Sequence, residues 1–521
     1  MTVNSQGGGH SAPPPSPEGV AVDHKRPEDN WLGVGRSIGY GAQHVLTMYG
    51  GIIAPPLIVG AAAGVSPDQL ALLVTSCLFV GGLATILQSV GIPWFGSQLP
   101  LVQGTSFASV ASLVAIATQG GGMPAVFGSV MASAFIGLLI TPFFAQVIRF
   151  FPPVVTGVVI TTIGLSLMPV AANWAMGGNA KAPDYGSMAN IGLAGFTLLV
   201  VLILSRANHP AISRLSILFA IVVGTVFATI VGMAHWGNVG TGSFAAFPTP
   251  FAFGLPTFPL AGVISMVIVV LVIMTETTAD ILAVGEIVET PVDRKRIGNG
   301  LRADMGASVI APIFNGFTQS AFAQNVGLVA ITGVKSRFVV TASGGILVVL
   351  GLLPVLGRVV AGIPLPVLGG AGIVLFGTVA ASGIRTLARV NYKGNMNLII
   401  VSASIGAGLV PVVAPTFYNA FPTWFVTIFH SGITSAAIFA VLLNIFFNHV
   451  KFARQKEPAS TFVEADRYIR LDEVKSYTKL REGDRIEDGR IVDREGRPVP
   501  VRGEQGDVMD VKVCEPEDSG H

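Results

Sequence analysis

The sequence predicts an all-α polytopic membrane protein of about fourteen transmembrane segments, laid out as a seven-plus-seven inverted repeat whose third and tenth segments are short and broken. Three observations predict it: a composition suited to lipid, a succession of apolar runs near spanning length, and a one-sided distribution of basic residues. The 521 residues are 51% hydrophobic and 12% charged, with a mean hydropathy of +0.67; soluble domains average about 25% charged residues. The expected partner is therefore the lipid bilayer. The formal net charge is only +2, and no basic stripe with interleaved aromatics is present, so no nucleic-acid partner is implied.

The apolar runs fall near 37–60, 69–91, 99–118, 122–147, 153–172, 190–205, 212–234, 258–284, 300–316, 321–334, 338–356, 364–384, 396–415 and 424–449. Each is judged against the roughly 20 residues that a spanning helix needs. The third (GSQLPLVQGTSFAS) and the tenth (NGFTQSAFAQNVG) are interrupted and polar where a spanning helix should be most apolar. Fourteen runs divide into two sevens, so both breaks are third in their half, and an odd number of spans per repeat inverts the second copy. Paired breaks in matching positions point to a transporter with a site at the membrane midplane. Irregular backbone at that depth must line a cavity or be covered by protein.

Basic residues test the count. With the N-terminus in the cytoplasm, one set of loops holds Arg149, Arg206, Arg214, Arg294, Lys295, Arg296, Arg302, Lys335, Arg337, Arg385, Arg389 and Lys393. The opposite loops hold only Lys181 and Arg358. This asymmetry fits the positive-inside rule with both termini cytoplasmic. One miscounted span would scramble it.

Residues 1–35 are rich in Gly, Pro, Ser and charge and read as a disordered cytoplasmic extension without the apolar core of a signal peptide. Residues 36–449 form the transmembrane unit. Residues 450–521 change character: from 451 onward they hold 14 Lys/Arg and 17 Asp/Glu. They read as a solvated tail with a short hairpin around RIEDGRIVDREGRPVPVRG, or as a small regulatory module. The two cysteines, Cys77 and Cys514, imply no disulfide framework. No Cys/His cluster suggests a metal, and no cofactor is implied.

The chemistry lies in rare acids. Between Ser37 and Val450 there are eight acidic residues, and three of them, Glu276, Asp280 and Asp304, sit inside long apolar stretches. A carboxylate kept in lipid defaults to a functional role. Glu276 and Asp280, in LVIMTETTADILAVG, share one helix face one turn apart. Two like charges there repel and both lose hydration, so the pair is suited to holding and releasing a proton beside a bound polar solute. Capping of unwound backbone is the plainer reading. Asp304 either joins this group or pairs at the interface with Arg302.

Gln324 and Asn325 stand at the second break. Two amides beside free backbone groups can present donors and acceptors in one plane, the complement of a flat heterocycle with alternating N–H and C=O groups; alternatively they join helices. Ser106 and Phe107 occupy the matching break, where Phe107 offers either a stacking face or packing. His44 is either a structural histidine or part of a proton path. GxSxG, HExxH and a phosphate-binding loop are absent, and no nucleophile–base pair stands out, so nothing argues for an enzyme.

QNVGLVAITGV (324–334) resembles the signature of the nucleobase–ascorbate transporters, also called the nucleobase-cation symporter-2 family: Gln or Glu, Asn-x-Gly, four residues, Thr. ETTADI in the eighth span, the Asp304 context, the QGTSF break and QH in the first span extend the resemblance over most of 36–449. It implies a core domain of spans 1–4 and 8–11, a gate domain of spans 5–7 and 12–14 that makes a homodimer, and short antiparallel strands in spans 3 and 10. It implies that Glu276 and Gln324 hydrogen-bond the base, and that Phe107 and the backbone near Ala323, with Phe322 and Ser106, complete the pocket. Asp304, Asp280, Asn325 and His44 would support geometry and proton coupling. Gln324 resembles the xanthine and uric acid branch, where uracil carriers tend to have Glu; Gly333 departs from forms of the motif with Arg or Lys there. The resemblance thus implies a proton symporter importing xanthine or uric acid across the inner or plasma membrane, with sodium open as the coupling ion. A uracil symporter of the same fold and a sulfate-permease-type anion exchanger are the alternatives, along with a non-transporting sensor signalling through the tail.

Overall fold

Capping side chains and proline set where the helices begin. The first long helix, Val34–Ala62, is followed by Pro67–Val90, which starts on a capping box. There the Gln69 N–H donates to Ser66 Oγ at 3.3 Å and the Ser66 N–H donates to Gln69 Oε1 at 3.0 Å. Pro67 takes the first helical position, where no N–H is needed. Asp293 caps Arg294–Ile310 by accepting from the Arg296 N–H at 2.7 Å, and Ser187 caps Met188–Ser205 from the Asn190 N–H. The computed structural model describes residues 26–449 apart from 145–149, 210–211, 214, 235, 238, 241 and 393–395, and five short strands between 469 and 509.

Among the described residues, eight helices are long and apolar enough to cross a membrane, or up to ten if each of two bent pairs is one span. The bent pairs are Arg337–Gly351 with Pro354–Ala361 (79°) and Thr423–Phe429 with Gly432–Asn448 (82°). The rest of the fourteen expected segments hold helices that are too short or too polar to qualify: Phe107–Ile116, Ser216–Ile230, Arg294–Ile310 and Ala323–Thr332. The protein is a helical polytopic membrane protein; length and composition support eight to ten crossings.

The third and tenth segments are built alike. Strand β1, Gln103–Thr105, precedes the helix Phe107–Ile116, and strand β2, Gln319–Ala321, precedes the helix Ala323–Thr332. The strands pair antiparallel, with Gln103 opposite Ala321, Gly104 opposite Ser320 and Thr105 opposite Gln319. Gly104 makes room here: a Cβ at this position would lie 2.6 Å from the Phe322 ring, which would have to shift.

The helices pack mainly within two groups. One contains Val34–Ala62, Pro67–Val90, Gly122–Ile140, Leu260–Val288, Arg294–Ile310, Arg337–Gly351 and both strand–helix segments. The other contains Pro153–Ser166, Met168–Ala175, Met188–Ser205, Ser216–Ile230, Leu365–Leu387, Met396–Val413 and Gly432–Asn444. Glycines bring backbones together inside each group: a Cβ on Gly82 would fall 2.6 Å from the Gly344 carbonyl oxygen, and one on Gly164 2.3 Å from the Ala380 nitrogen. Small residues serve close packing in lipid in this way. Hydroxyls cross between the groups, with Ser112 Oγ 2.9 Å from Ser431 Oγ and Ser265 Oγ 3.2 Å from Thr434 Oγ1.

Residues 26–35 fall within the expected disordered extension, but the structure packs part of this stretch onto the transmembrane unit. Glu28 is fully buried and bonds to Arg296. Asp29 Oδ1 accepts from Arg337 Nε at 2.6 Å, and Arg337 also donates to the Ser89 and Val90 carbonyls. One buried acid, Glu28, and one half-buried acid, Asp29, find arginine partners, which explains the difference. Residues 1–25, Arg149, Arg214, Lys393 and Cys514 lie outside the described residues. In the tail, Arg485–Glu487 pairs antiparallel with Arg490–Val492, which is the hairpin expected around Asp488-Gly489.

Gly164→Ala should lower the thermal midpoint of the purified protein, with overpacking costs of about 1–3 kcal/mol. Gly345→Ala, where an added Cβ meets nothing within 4 Å, should leave the midpoint unchanged or raise it. Equal midpoints for the two variants would contradict this account of the packing.

Candidate functional site

The paired strands deliver two helix N-termini to one place. Ser106, just after β1, donates its N–H to the Thr318 carbonyl at 2.9 Å and accepts at Oγ from the Ala108 N–H at 3.3 Å. Phe322, just after β2, donates its N–H to the Val102 carbonyl at 3.1 Å. The helices that follow therefore start beside each other, with first-turn N–H groups turned toward the same space.

That space is a cavity of about 510 Å³ between the two helix groups. Ser106, Phe107, Phe322, Ala323 and Gln324 line it from the strand–helix segments, and Glu276 and Asp280 line it from Leu260–Val288. Seven of the ten residues singled out from sequence thus meet at one cavity. Among the described residues, no hydrogen bond or ion pair within the chain occupies the side chains of Glu276, Asp280 or Gln324, so their polar atoms face the cavity unspent. The Phe107 ring meets Phe376 edge-on, centroids 6.1 Å apart. Phe322 is 4% exposed, with its ring against Gly51 and Gly104, so it shapes the edge of the cavity and forms no broad face.

Three of the ten stand behind it. Asp304 Oδ2 accepts from Thr277 Oγ1 at 2.6 Å, and Ser308 Oγ, bonded to the Asp304 carbonyl, accepts from the Gln319 N–H at 2.8 Å. Asp304 thereby ties the Glu276 helix to β2. It makes no pair with Arg302, which donates to Asn299 Oδ1 at 2.8 Å instead. Asn325 Nδ2 lies 3.0 Å from His44 Nδ1 and donates to the His44 carbonyl at 3.1 Å. Gln324 and Asn325 therefore do not present one plane of amides: successive helical positions point about 100° apart, and only Gln324 reaches the cavity.

The sequence reading missed the opposite wall. Ile160 and Ile163 supply an apolar strip, and Thr378, Ser382, Arg385 and Thr386 a polar one. Arg385 is the cation among the lining residues and stands in the last turn of Leu365–Leu387. The signal was present: positions 378, 382 and 385–386 recur at helical spacing, so an apolar span carries one polar stripe.

Thr277→Val should leave buried Asp304 without its hydroxyl partner. We expect a loss of about 1–3 kcal/mol of stability, read as a lower thermal midpoint, with Thr277→Ser retaining most of it. A Thr277→Val protein as stable as wild type would remove Asp304 from its anchoring role.

Residues 35–417 match the family model Xan_ur_permease, described as a permease family. The chain is 39% identical over 423 residues to the uric acid transporter UacT of Escherichia coli (strain K12), covering 81% of this chain and 88% of that protein. It is also 39% identical over 432 residues to the xanthine permease of Bacillus subtilis (strain 168), covering 83% and 98%. Among solved structures, the transmembrane domain of a cyanobacterium bicarbonate transporter, BicA, is similar at TM-score 0.53 and 17% identity, over 77% of this chain and 96% of that one. The murine Solute Carrier 26 family member A9 anion transporter is similar at TM-score 0.54 and 15% identity, over 81% and 70%; at such identities both show the fold alone. Fold, motif and matched span agree, and the chain belongs to the permease family of nucleobase–ascorbate transporters.

Proposed function

We propose that this permease imports an oxidised purine base, xanthine or uric acid, together with a proton across the cell membrane. One observation carries the reading: Glu276 and Gln324, both without partners among the described residues, meet at a cavity edged by Phe107 and two helix N-termini. A carboxylate accepts from ring N–H groups, and hydrogen bonds to a charged acceptor are the stronger kind. The Gln324 carboxamide offers a donor and an acceptor together, which matches adjacent C=O and N–H groups of an oxidised purine. Phe107 provides an apolar surface for the ring. The names of the relatives, a uric acid transporter and a xanthine permease, support the same substrate class.

In this reading Asp280, one turn from Glu276, exchanges the coupled proton with it, while Asp304, Asn325 and His44 hold the geometry. The group with the paired strands is the moving core, spans 1–4 and 8–11. The other group is the gate, spans 5–7 and 12–14, which carries the homodimer contact. Packing that is denser within each group than between them supports this division. A site between two such bodies becomes accessible from alternate sides when one moves against the other. Both termini are cytoplasmic, in keeping with the basic loops.

Arg385 and the two helix N-termini favour a second reading, an anion exchanger, since both features attract negative charge. Two carboxylates in the same cavity oppose it.

The test is uptake of radiolabelled xanthine, uric acid and uracil into cells lacking their own carriers, with and without a protonophore. Saturable, protonophore-sensitive purine uptake is expected. Glu276→Gln should reduce it by one to two orders of magnitude, the loss of a charge-assisted bond of about 1.5–3 kcal/mol. Gln324→Glu should shift preference toward uracil. Well-folded protein at the membrane that moves inorganic anions and none of the three bases would falsify the nucleobase reading.

A further inference from the structure

Away from the central cavity, a pocket of about 540 Å³ is walled by the N-terminal segment, the start of Val34–Ala62 and the turn at 333–336. Its charged lining residues among the described ones are Arg26, Arg36 and Lys335, and no acid among the described residues lines it. Arg36 forms no ion pair or hydrogen bond among the described residues. Lys335 pairs with Glu289, whose side chain is 78% exposed, and such surface pairs contribute little. Arg26 donates to Gln98 Oε1 at 3.3 Å.

Two helices begin at this pocket, Val34–Ala62 after Gly33 and Arg337–Gly351 after Ser336, and neither has a side-chain cap bond. Uncapped first-turn N–H groups attract anions. A separate observation points the same way: Ser336 lines the pocket, is 3% exposed, and its hydroxyl has no partner among the described residues. The C-terminal end of Ala323–Thr332 reaches the pocket at Gly333, but its partial negative charge of about one half is outweighed by three cations. Beside the pocket the surface is apolar and aromatic, with Trp31, Val34 and Ile38 each more than half exposed and Tyr40 at 40%. Aromatic residues of this kind gather at the headgroup level of a membrane.

We propose that this pocket binds a phosphate-bearing anion, and that the anion is the headgroup of an acidic membrane phospholipid. Arg36 and Lys335 face the phosphate charge, the Ser336 hydroxyl and the helix N–H groups donate to its oxygens, and the rim of Trp31 and Ile38 lies against the acyl chains. A free phosphate shares the headgroup chemistry but makes no use of that rim. The bound lipid would bridge the N-terminal segment and the 333–336 turn, which both belong to the strand-bearing helix group. None of this depends on the transported solute.

Native mass spectrometry of the delipidated full-length protein tests the proposal, with phosphatidylglycerol or phosphatidylcholine added back and inorganic phosphate as a soluble competitor. Wild type should retain phosphatidylglycerol in preference to phosphatidylcholine, and phosphate at the lipid's concentration should not displace it. Arg36→Gln combined with Lys335→Gln should weaken retention by roughly tenfold or more, and Arg36→Gln alone by a smaller factor. Arg389→Gln, a cation outside the pocket, should have no effect. Undiminished retention by a folded double variant, or no headgroup preference in wild type, would overturn the site. Displacement by equimolar phosphate would overturn the lipid as its occupant.

Discussion

Everything at the central cavity depends on six residues of strand. Backbone N–H and C=O groups cannot be left unpaired in the apolar interior of a membrane protein, yet a helix can begin at mid-depth only if the chain before it is not helical. The pairing of Gln103–Thr105 with Gln319–Ala321 meets both demands. Hydroxyls close the outer edges of this two-stranded sheet. Thr85 Oγ1 accepts from the Gln103 N–H at 2.9 Å and lies 3.1 Å from the Gln103 carbonyl oxygen, while Ser308 Oγ accepts from the Gln319 N–H. With its edges satisfied by neighbouring helices, the sheet stays at two strands and directs two helix N-termini into one cavity.

The same arrangement divides the polar residues into those that face the cavity and those that hold the frame. Glu276 and Thr277 are neighbours on one helix, but they point to different neighbours. Glu276 faces the cavity, and Thr277 holds Asp304 and approaches the Ala321 N–H at 3.4 Å. Gln324 and Asn325 are split the same way, one facing the cavity and the other fixed to His44 on the first helix. The opposite wall belongs to a different helix group, and on its side Thr378, Ser382 and Arg385 line the cavity. The proposed transport cycle moves these two walls relative to each other.

Much of this was legible because lipid makes polarity expensive. Rare acids at 276, 280 and 304 stand out against an apolar background, and interrupted runs at matching positions mark where strands replace helix. The paired strands themselves followed from the family resemblance. The direction of a side chain was less legible. Neighbouring positions such as Gln324 and Asn325 look equivalent in sequence and differ only once helix phase is fixed. The polar stripe of Leu365–Leu387 was hidden because Arg385, at the end of a span, was counted with the basic loops. Fourteen apolar runs also did not translate into fourteen long helices, since two segments bend and others are shortened by the strands and by the polar start of Arg294–Ile310. The packed segment at Glu28 and Asp29 was missed because its partners, Arg296 and Arg337, lie far along the chain.

The central claim is that a purine base binds between Glu276, Gln324 and Phe107. Determination of the structure with xanthine or uric acid bound tests it most directly. The predicted result is a planar ligand in the cavity between the helix groups, with ring N–H groups within hydrogen-bond distance of Glu276, a ring edge on Gln324 and a face against Phe107. A ligand seated elsewhere, or one that leaves Glu276 and Gln324 without contact, would contradict it.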